Sequence, residues 1–152
     1  MDQGQLMRRV DSRWQEFNAA CKGLSAEDLE SPGPEGGWSV KDLKSHVATW
    51  EQESLSALRL IEQGKRLPRY ARFGGIDAFN LMKWEELRSW SPEDVEARFF
   101  RTHEELLAYL SGVPEHLYRR ETRFRRRLRM DTYGHLPEYT SQIIAWREAE
   151  GV

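Results

Sequence analysis

Apolar residues recur along the start of the chain at steps of four, four, three and four: Leu6, Val10, Trp14, Phe17 and Cys21. That spacing places them on one stripe and predicts an amphipathic helix over residues 2–22, with Gly23 just past its end. Ser25 with Asp28 predicts a short capped turn. The run SPGPEGG over 31–37 predicts a loop, since its prolines and glycines disfavour any regular element. Ser39 is the clearest helix start, an N-cap with Asp42 three residues on. Val40, Leu43, Val47, Trp50, Ser54, Ala57 and Ile61 then keep 3–4 spacing up to Gly64, which predicts a long helix packed along its whole length. Residues 65–75, with Pro68 and the Gly74-Gly75 pair, read as a connector. A shorter helix is expected over 77–88, making contacts through Phe79, Met82 and Leu87. Ser91 and Pro92 read as N-cap and N1 of a third long helix, with Asp94 completing the capping box and Val95, Phe99, Thr102, Leu106, Tyr109 and Val113 as its stripe. Pro114 ends it. Residues 114–130 are expected to be irregular, and a last helix covers 134–150 with Ile143 and Trp146 turned inward. No strand-like alternation or internal repeat competes. The pattern predicts an all-α, up-and-down four-helix bundle in one domain over 1–152, with the additional short helix across one end or side.

Composition narrows the function classes. The chain has 152 residues, enough for a sizeable core. Its 23 basic and 25 acidic residues nearly cancel, so no global field draws it to nucleic acid or anionic lipid. Cys21 is alone and can form no internal disulfide, which suits a reducing compartment. No apolar run approaches membrane-spanning length, and MDQGQLMRRV lacks the apolar centre of a signal peptide, so a cytoplasmic protein without membrane contact is expected. Its state could be monomer or homodimer. Six Trp, five Tyr and six Phe must share one core or line one cavity.

Two polar-aromatic faces carry the candidate chemistry. His46, Trp50 and Glu53 project together from the second predicted helix, and His135, Tyr139, Gln142 and Trp146 repeat that geometry on the last. Each histidine is either a hydrogen-bonded core residue or part of a metal or ligand site inside the bundle. His103 and His116 are expected at the surface or rim, and Cys21 in the core. Arg119, Arg120, Arg123, Arg125, Arg126, Arg127 and Arg129 crowd one segment around Phe124. They could bind phosphates with Phe124 stacked on a base, or form a solvated face paired with acids such as Glu93, Asp94, Glu96, Glu104 and Glu105. No GxGxxG, P-loop, GxSxG, HExxH or CxxC is present, which leaves dinucleotide, nucleotide and serine-hydrolase functions without support.

The run GGWSVKDLKSHVATWEQ, with its preceding loop and its histidine, resembles the second helix of the DinB superfamily. The stretch DAFNLMKWEELRSWSPEDVEARFFRTHEELLAYLSGVPEHLY over 77–118 resembles more specifically the ClbS/DfsB branch, and TYGHLPEYTSQIIAWRE is similar to that branch's final helix. The resemblance covers nearly the whole chain and implies a DinB-like bundle. DinB-like metal proteins use a histidine at the place of His46 and an H-x-x-x-H pair on the last helix; here His135 is followed by Tyr139. Two imidazoles and a phenol are a poor substitute for three imidazoles, because tyrosine must lose a proton of pKa about 10 to ligate well. Pro137 also confines His135 to the helix start. A pocket without metal or other cofactor is therefore expected. ClbS-like members include self-protection proteins acting on reactive natural products, a cyclopropane hydrolase among them, and an asparagine resembling Asn80 is associated with their pocket. The resemblance implies binding, and in some members hydrolysis, of a small electrophile. His46 would act as acid or base near neutral pH and Asn80 would orient the ligand or a water. Trp50, Glu53, His135, Tyr139, Gln142 and Trp146 would line the site. Two other readings stay open: Zn²⁺ or Ni²⁺ held by His46 and His135 with Tyr139 or Glu138 helping, and a non-catalytic protein binding a ligand or nucleic acid through the arginine segment.

Overall fold

Asp2 opens helix α1 (Gln3–Cys21) with a capping box, its carboxylate accepting from the Gln5 N–H while the Gln5 side chain accepts from the Asp2 N–H. The computed structural model describes residues 1–152. A five-residue helix α2 (Ala26–Glu30), capped by Ser25, stands where the short turn was expected. Ser39 and Asp42 form the predicted reciprocal box at the head of α3 (Val40–Glu62). Helix α4 (Ile76–Leu87) follows a 3-10 turn at Tyr70–Phe73 and starts after Gly74 and Gly75, both at positive φ. Helix α5 (Pro92–Ser111) has half the expected box: Ser91 accepts from the Asp94 N–H, but no return bond comes from the Asp94 carboxylate. Helix α7 (Leu136–Glu150) begins two residues later than predicted, with Pro137 in its first turn.

The segment 114–130 corrects the sequence reading. It holds a 3-10 turn (Glu115–Leu117) and a helix, α6 (Arg123–Asp131), capped by the Thr122 hydroxyl. Phe124, Leu128 and Asp131 point inward at i, i+4 and i+7, a helical stripe hidden by the intervening arginines and by its having only two apolar members. Helix α6 packs on α3, and α7 on α1. The fourth position of the bundle is therefore shared between two helices, with the break at 132–135.

That division is matched in the core. One cluster joins Leu6, Val10, Leu55, Leu58, Leu106 and Leu110 to Phe124 and Leu128 of α6. The other joins Trp14, Phe17, Val40, Val47 and Phe99 to Leu136 and Ile143 of α7. Between them lies a polar seam. His103, expected at the surface or rim, is only 3% exposed. Its Nδ1 sits 3.1 Å from Glu51 Oε2, and its Nε2 sits 2.9 Å from Asp11 Oδ1. Trp14 stacks on the ring at a centroid distance of 4.1 Å. His103 was misplaced because its partners come from α1 and α3, and no local window contains them. Burial pulls its pKa down, but the Glu51 and Asp11 carboxylates outweigh that and hold it above the ordinary value. Burial also raises Glu51, with the His103 hydrogen bond and charge opposing it; with a carboxylate oxygen on each ring nitrogen, the attraction across the pair favours the form in which both nitrogens donate.

Cys21 is buried as expected, its thiol pushed up to about 12 by burial, which keeps it inert. The arginine segment pairs mainly with acids close in sequence: Arg127 with Asp131 at 2.6 Å, Arg129 with Glu121 at 2.6 Å, and Arg119 with Glu115 at 3.2 Å. Of the acids expected to face it, Glu96 pairs instead with Lys44. No helix is long and apolar enough to cross a membrane.

Candidate functional site

Helix α3 presents His46, α4 crosses α3 carrying Asn80, and α7 brings Tyr139 alongside. Tyr139 Oη lies 3.2 Å from His46 Nε2. The rings of Trp38, His135 and Trp50 surround the imidazole at centroid distances of 5.3, 6.2 and 6.4 Å. Burial, with a smaller contribution from His135, pushes the His46 pKa down to about 4. The expectation of a titration near neutrality is corrected: above about pH 5 the imidazole is uncharged. Burial raises Tyr139, and the nearby Glu35 and Glu138 add to the effect, so the phenol keeps its proton and donates it to His46 Nε2. His135 Nδ1 is 2.7 Å from the Met130 carbonyl and must donate to it, while burial lowers its pKa as well. The site is neutral at its centre.

Asn80 is fixed from behind. Trp50 is 7% exposed and its indole N–H donates to Asn80 Oδ1 at 2.9 Å. Because an indole nitrogen can only donate, the contact settles which end of the amide is oxygen. The Asn80 NH₂ keeps its donors free of Trp50, on a side chain that borders open space. Trp50, expected as a wall, orients Asn80 from within an aromatic cluster with Tyr70 and Phe79.

His46, Asn80 and Trp38 border two spaces. An outer cleft of about 370 Å³ is completed by Glu35, Asp77, Leu81 and Tyr139. An inner niche of about 10 Å³ between α3 and α4, bordered also by Ser45, Lys83, Trp84 and Arg88, has room for one water. Three expected lining residues lie elsewhere. Glu53 accepts from Tyr70 Oη at 2.9 Å and borders a separate cleft of about 190 Å³. Trp146 packs over the 31–37 loop, where a Cβ at Gly33 (φ +153°) would meet its Nε1 at 2.5 Å, so glycine is required. Gln142 lines neither space, and its Oε1 is buried without a partner. His135 touches the site only through His46 and Tyr139.

Trp38, Glu35, Asp77 and Trp84 were not singled out from the sequence. For α4 a signal existed: Asp77, Asn80 and Trp84 fall at i, i+3 and i+7, one face of the helix. Nothing local marks Glu35 or Trp38, because the loop chemistry around them reads only as a turn.

The metal reading can be tested on donor chemistry. His46 Nε2 already receives the Tyr139 proton, Tyr139 is held protonated, and Glu138 is exposed at the helix start. No group of three or more His, Cys, Asp or Glu side chains stands where it could hold an ion. Two imidazoles are too few for a tightly held divalent cation, which takes three or four protein ligands. The residues do not fit the superfamily's metal.

Burying His46 uncharged ties stability to pH. Its folded pKa lies below the unfolded value, so the unfolded chain takes up the proton first and stability falls as pH drops from about 6.5 through about 4. The full effect is about 3 kcal/mol. Urea unfolding at about pH 7 and about pH 4.5 should show wild type losing about 2–3 kcal/mol more than His46→Gln. Equal losses would mean that His46 is not buried uncharged.

A sequence profile of the DinB superfamily matches residues 9–140. Among solved structures, the chain is similar to the crystal structure of an uncharacterised protein from Escherichia coli UTI89, with a TM-score of 0.81 over 99% of this chain and 95% of that one. Identity between the two is 13%, so the likeness shows the fold alone. No curated protein matches the chain.

Proposed function

This chain belongs to the DinB superfamily, and from that membership we propose that its cleft binds a small reactive electrophile and opens it by adding water, without a metal, as in the ClbS/DfsB branch that the sequence resembles. The observation that carries this reading is the hydrogen-bonded pair His46–Tyr139 facing Asn80 across one cleft. A water in the cleft donates to Tyr139 Oη as Tyr139 passes its own proton to His46 Nε2. The water oxygen bonds to the strained ring carbon, a ring bond breaks, and its electron pair leaves toward the activating group. His46 then returns the proton to the carbon that received the pair. Asn80, oriented by Trp50, holds the ligand.

The low pKa of His46 limits the substrate. Protonating a base of pKa about 4 near pH 7 costs roughly 4 kcal/mol, which suits only electrophiles already prone to react with water. Its compensation is that His46 is in the basic form throughout the neutral range.

The test uses gem-diacetylcyclopropane, whose hydration gives the hydroxyethyl diketone. Ring opening above the buffer rate is expected, on the order of tenfold slower in Tyr139→Phe, where water must reach His46 directly. The rate should be flat through neutral pH and fall only toward about pH 4. An acid limb near pH 6.5, or no rate above buffer, would defeat the proposal. Titration with Zn²⁺ and Ni²⁺ should show no stoichiometric tight site. Tight binding lost in both His46→Ala and His135→Ala would replace this reading with the metal one.

A further inference from the structure

The connector between α3 and α4 carries Lys65, Arg66, Arg69 and Arg72 and no acid. Together with α3 and with Arg127 of α6, it walls the cleft of about 190 Å³ that Glu53 borders. Leu60, Leu67, Pro68 and Phe73 give that cleft an apolar wall, and its polar end is built around one hydroxyl. Tyr70 Oη donates to Glu53 Oε1 at 2.9 Å and accepts from Arg127 Nη2 at 2.7 Å. Burial raises the phenol to about 12, with Arg127 opposing, so Tyr70 keeps its proton and those roles are fixed. Arg127 Nε donates to Asp131 at 2.6 Å, which clamps the guanidinium on a second side. Each charged side chain still has an open atom. Glu53 Oε2 and Arg127 Nη1 have no protein partner, and both keep contact with solvent. Three guanidiniums, Arg69, Arg72 and Arg127, border the cleft against one carboxylate, Glu53, while Asp131 behind Arg127 offsets one of them. Glu62, farther along α3, is bonded to Tyr109 instead. The remaining balance favours a ligand with a carboxylate, and Glu53 favours a positive group beside it. The volume equals about six waters, which suits a molecule smaller than a drug-sized ligand.

We propose that this cleft is a second binding site, for a small zwitterion: an α-amino acid with an apolar side chain. Its ammonium donates to Glu53 Oε2 and its carboxylate accepts from Arg127 Nη1, one on each side of Tyr70 Oη. The side chain lies against Leu60, Leu67 and Phe73. Arg69 and Arg72, exposed at the rim, add to the field on the carboxylate. A simple carboxylic acid would set an anion against Glu53, and a simple amine would set a cation against three guanidiniums. The zwitterion answers both charges, and the mismatches reject its analogues. The site is independent of the hydrolytic reading, because none of its residues borders the cleft of His46.

The experiment titrates the methyl-labelled full chain with L-leucine and follows the methyl signals of Leu60 and Leu67, assigned through Leu60→Met and Leu67→Met. Saturable shifts at both are expected, with the ring signals of His46 unmoved. N-acetyl-L-leucine, which lacks the ammonium, and L-leucinamide, which lacks the carboxylate, should each bind about tenfold more weakly. Glu53→Gln keeps an acceptor for Tyr70 and removes only the negative charge. It should weaken L-leucine by a similar factor while N-acetyl-L-leucine binds no worse than before. Either analogue binding as tightly as L-leucine would overturn the zwitterion site, as would unchanged L-leucine affinity in Glu53→Gln. No saturable shift at Leu60 and Leu67, or shifts at His46 in their place, would overturn it as well.

Discussion

Replacing His103 with leucine is expected to destabilise the protein by about 3–5 kcal/mol in urea unfolding near neutral pH. Glu51 is 1% exposed, and both of its oxygens lie on His103 Nδ1. Removing the imidazolium leaves that carboxylate in a nearly dry seam with no counter-charge. A loss of that size is a large share of the roughly 5–15 kcal/mol that holds a domain of this kind together. The mechanism has a pH signature: stranded Glu51 escapes its penalty by protonation, so the deficit should shrink as pH falls toward about 4. Converting both partners, His103→Leu with Glu51→Leu, should recover much of the loss, because an apolar pair removes the charge as well as its partner. A single-variant loss below about 1 kcal/mol, equal at both pH values, would mean that the seam is hydrated and that Glu51 does not depend on His103.

The second large effect is on turnover. His46→Ala should lower hydrolysis of gem-diacetylcyclopropane by a factor on the order of 10²–10⁴, the usual contribution of a positioned base. Near-native stability at neutral pH is expected alongside it, because α3 tolerates alanine and the lost partner of Tyr139 costs only about 1 kcal/mol. Added imidazole should restore part of the rate, since it can take the proton that Tyr139 passes on; a purely structural role for His46 would not respond to it. Full turnover in the alanine variant would exclude His46 from the reaction.

These two histidines also show what a sequence makes legible and what it does not. His46 was legible because a histidine, a tryptophan and the helix stripe recur within a few residues, and its place near Asn80 and Tyr139 followed from the family resemblance. Its charge state was not legible. A pKa of about 4 depends on how fully other helices cover the ring and on His135 lying across from it. His103 looked like a rim residue although it stands four positions after Phe99 on the same stripe. The missing information was in its partners, 52 and 92 residues away. Helix α6 failed for a different reason: its arginines pair with nearby acids and leave only Phe124 and Leu128 as an apolar signal.

The spacing of apolar residues by itself determined α1, α3, α4, α5 and α7, together with the Ser39 and Ser91 starts, because helix formation and capping are settled among residues within about four positions of each other. Tertiary structure alone decided the polar seam through the core, the break that divides the last bundle position between α6 and α7, and the geometry of the candidate site. The bonds of Tyr139 to His46 and of Trp50 to Asn80 span 93 and 30 residues. Burial and charge state arise from segments that meet only when the chain folds, so no window along the sequence contains them.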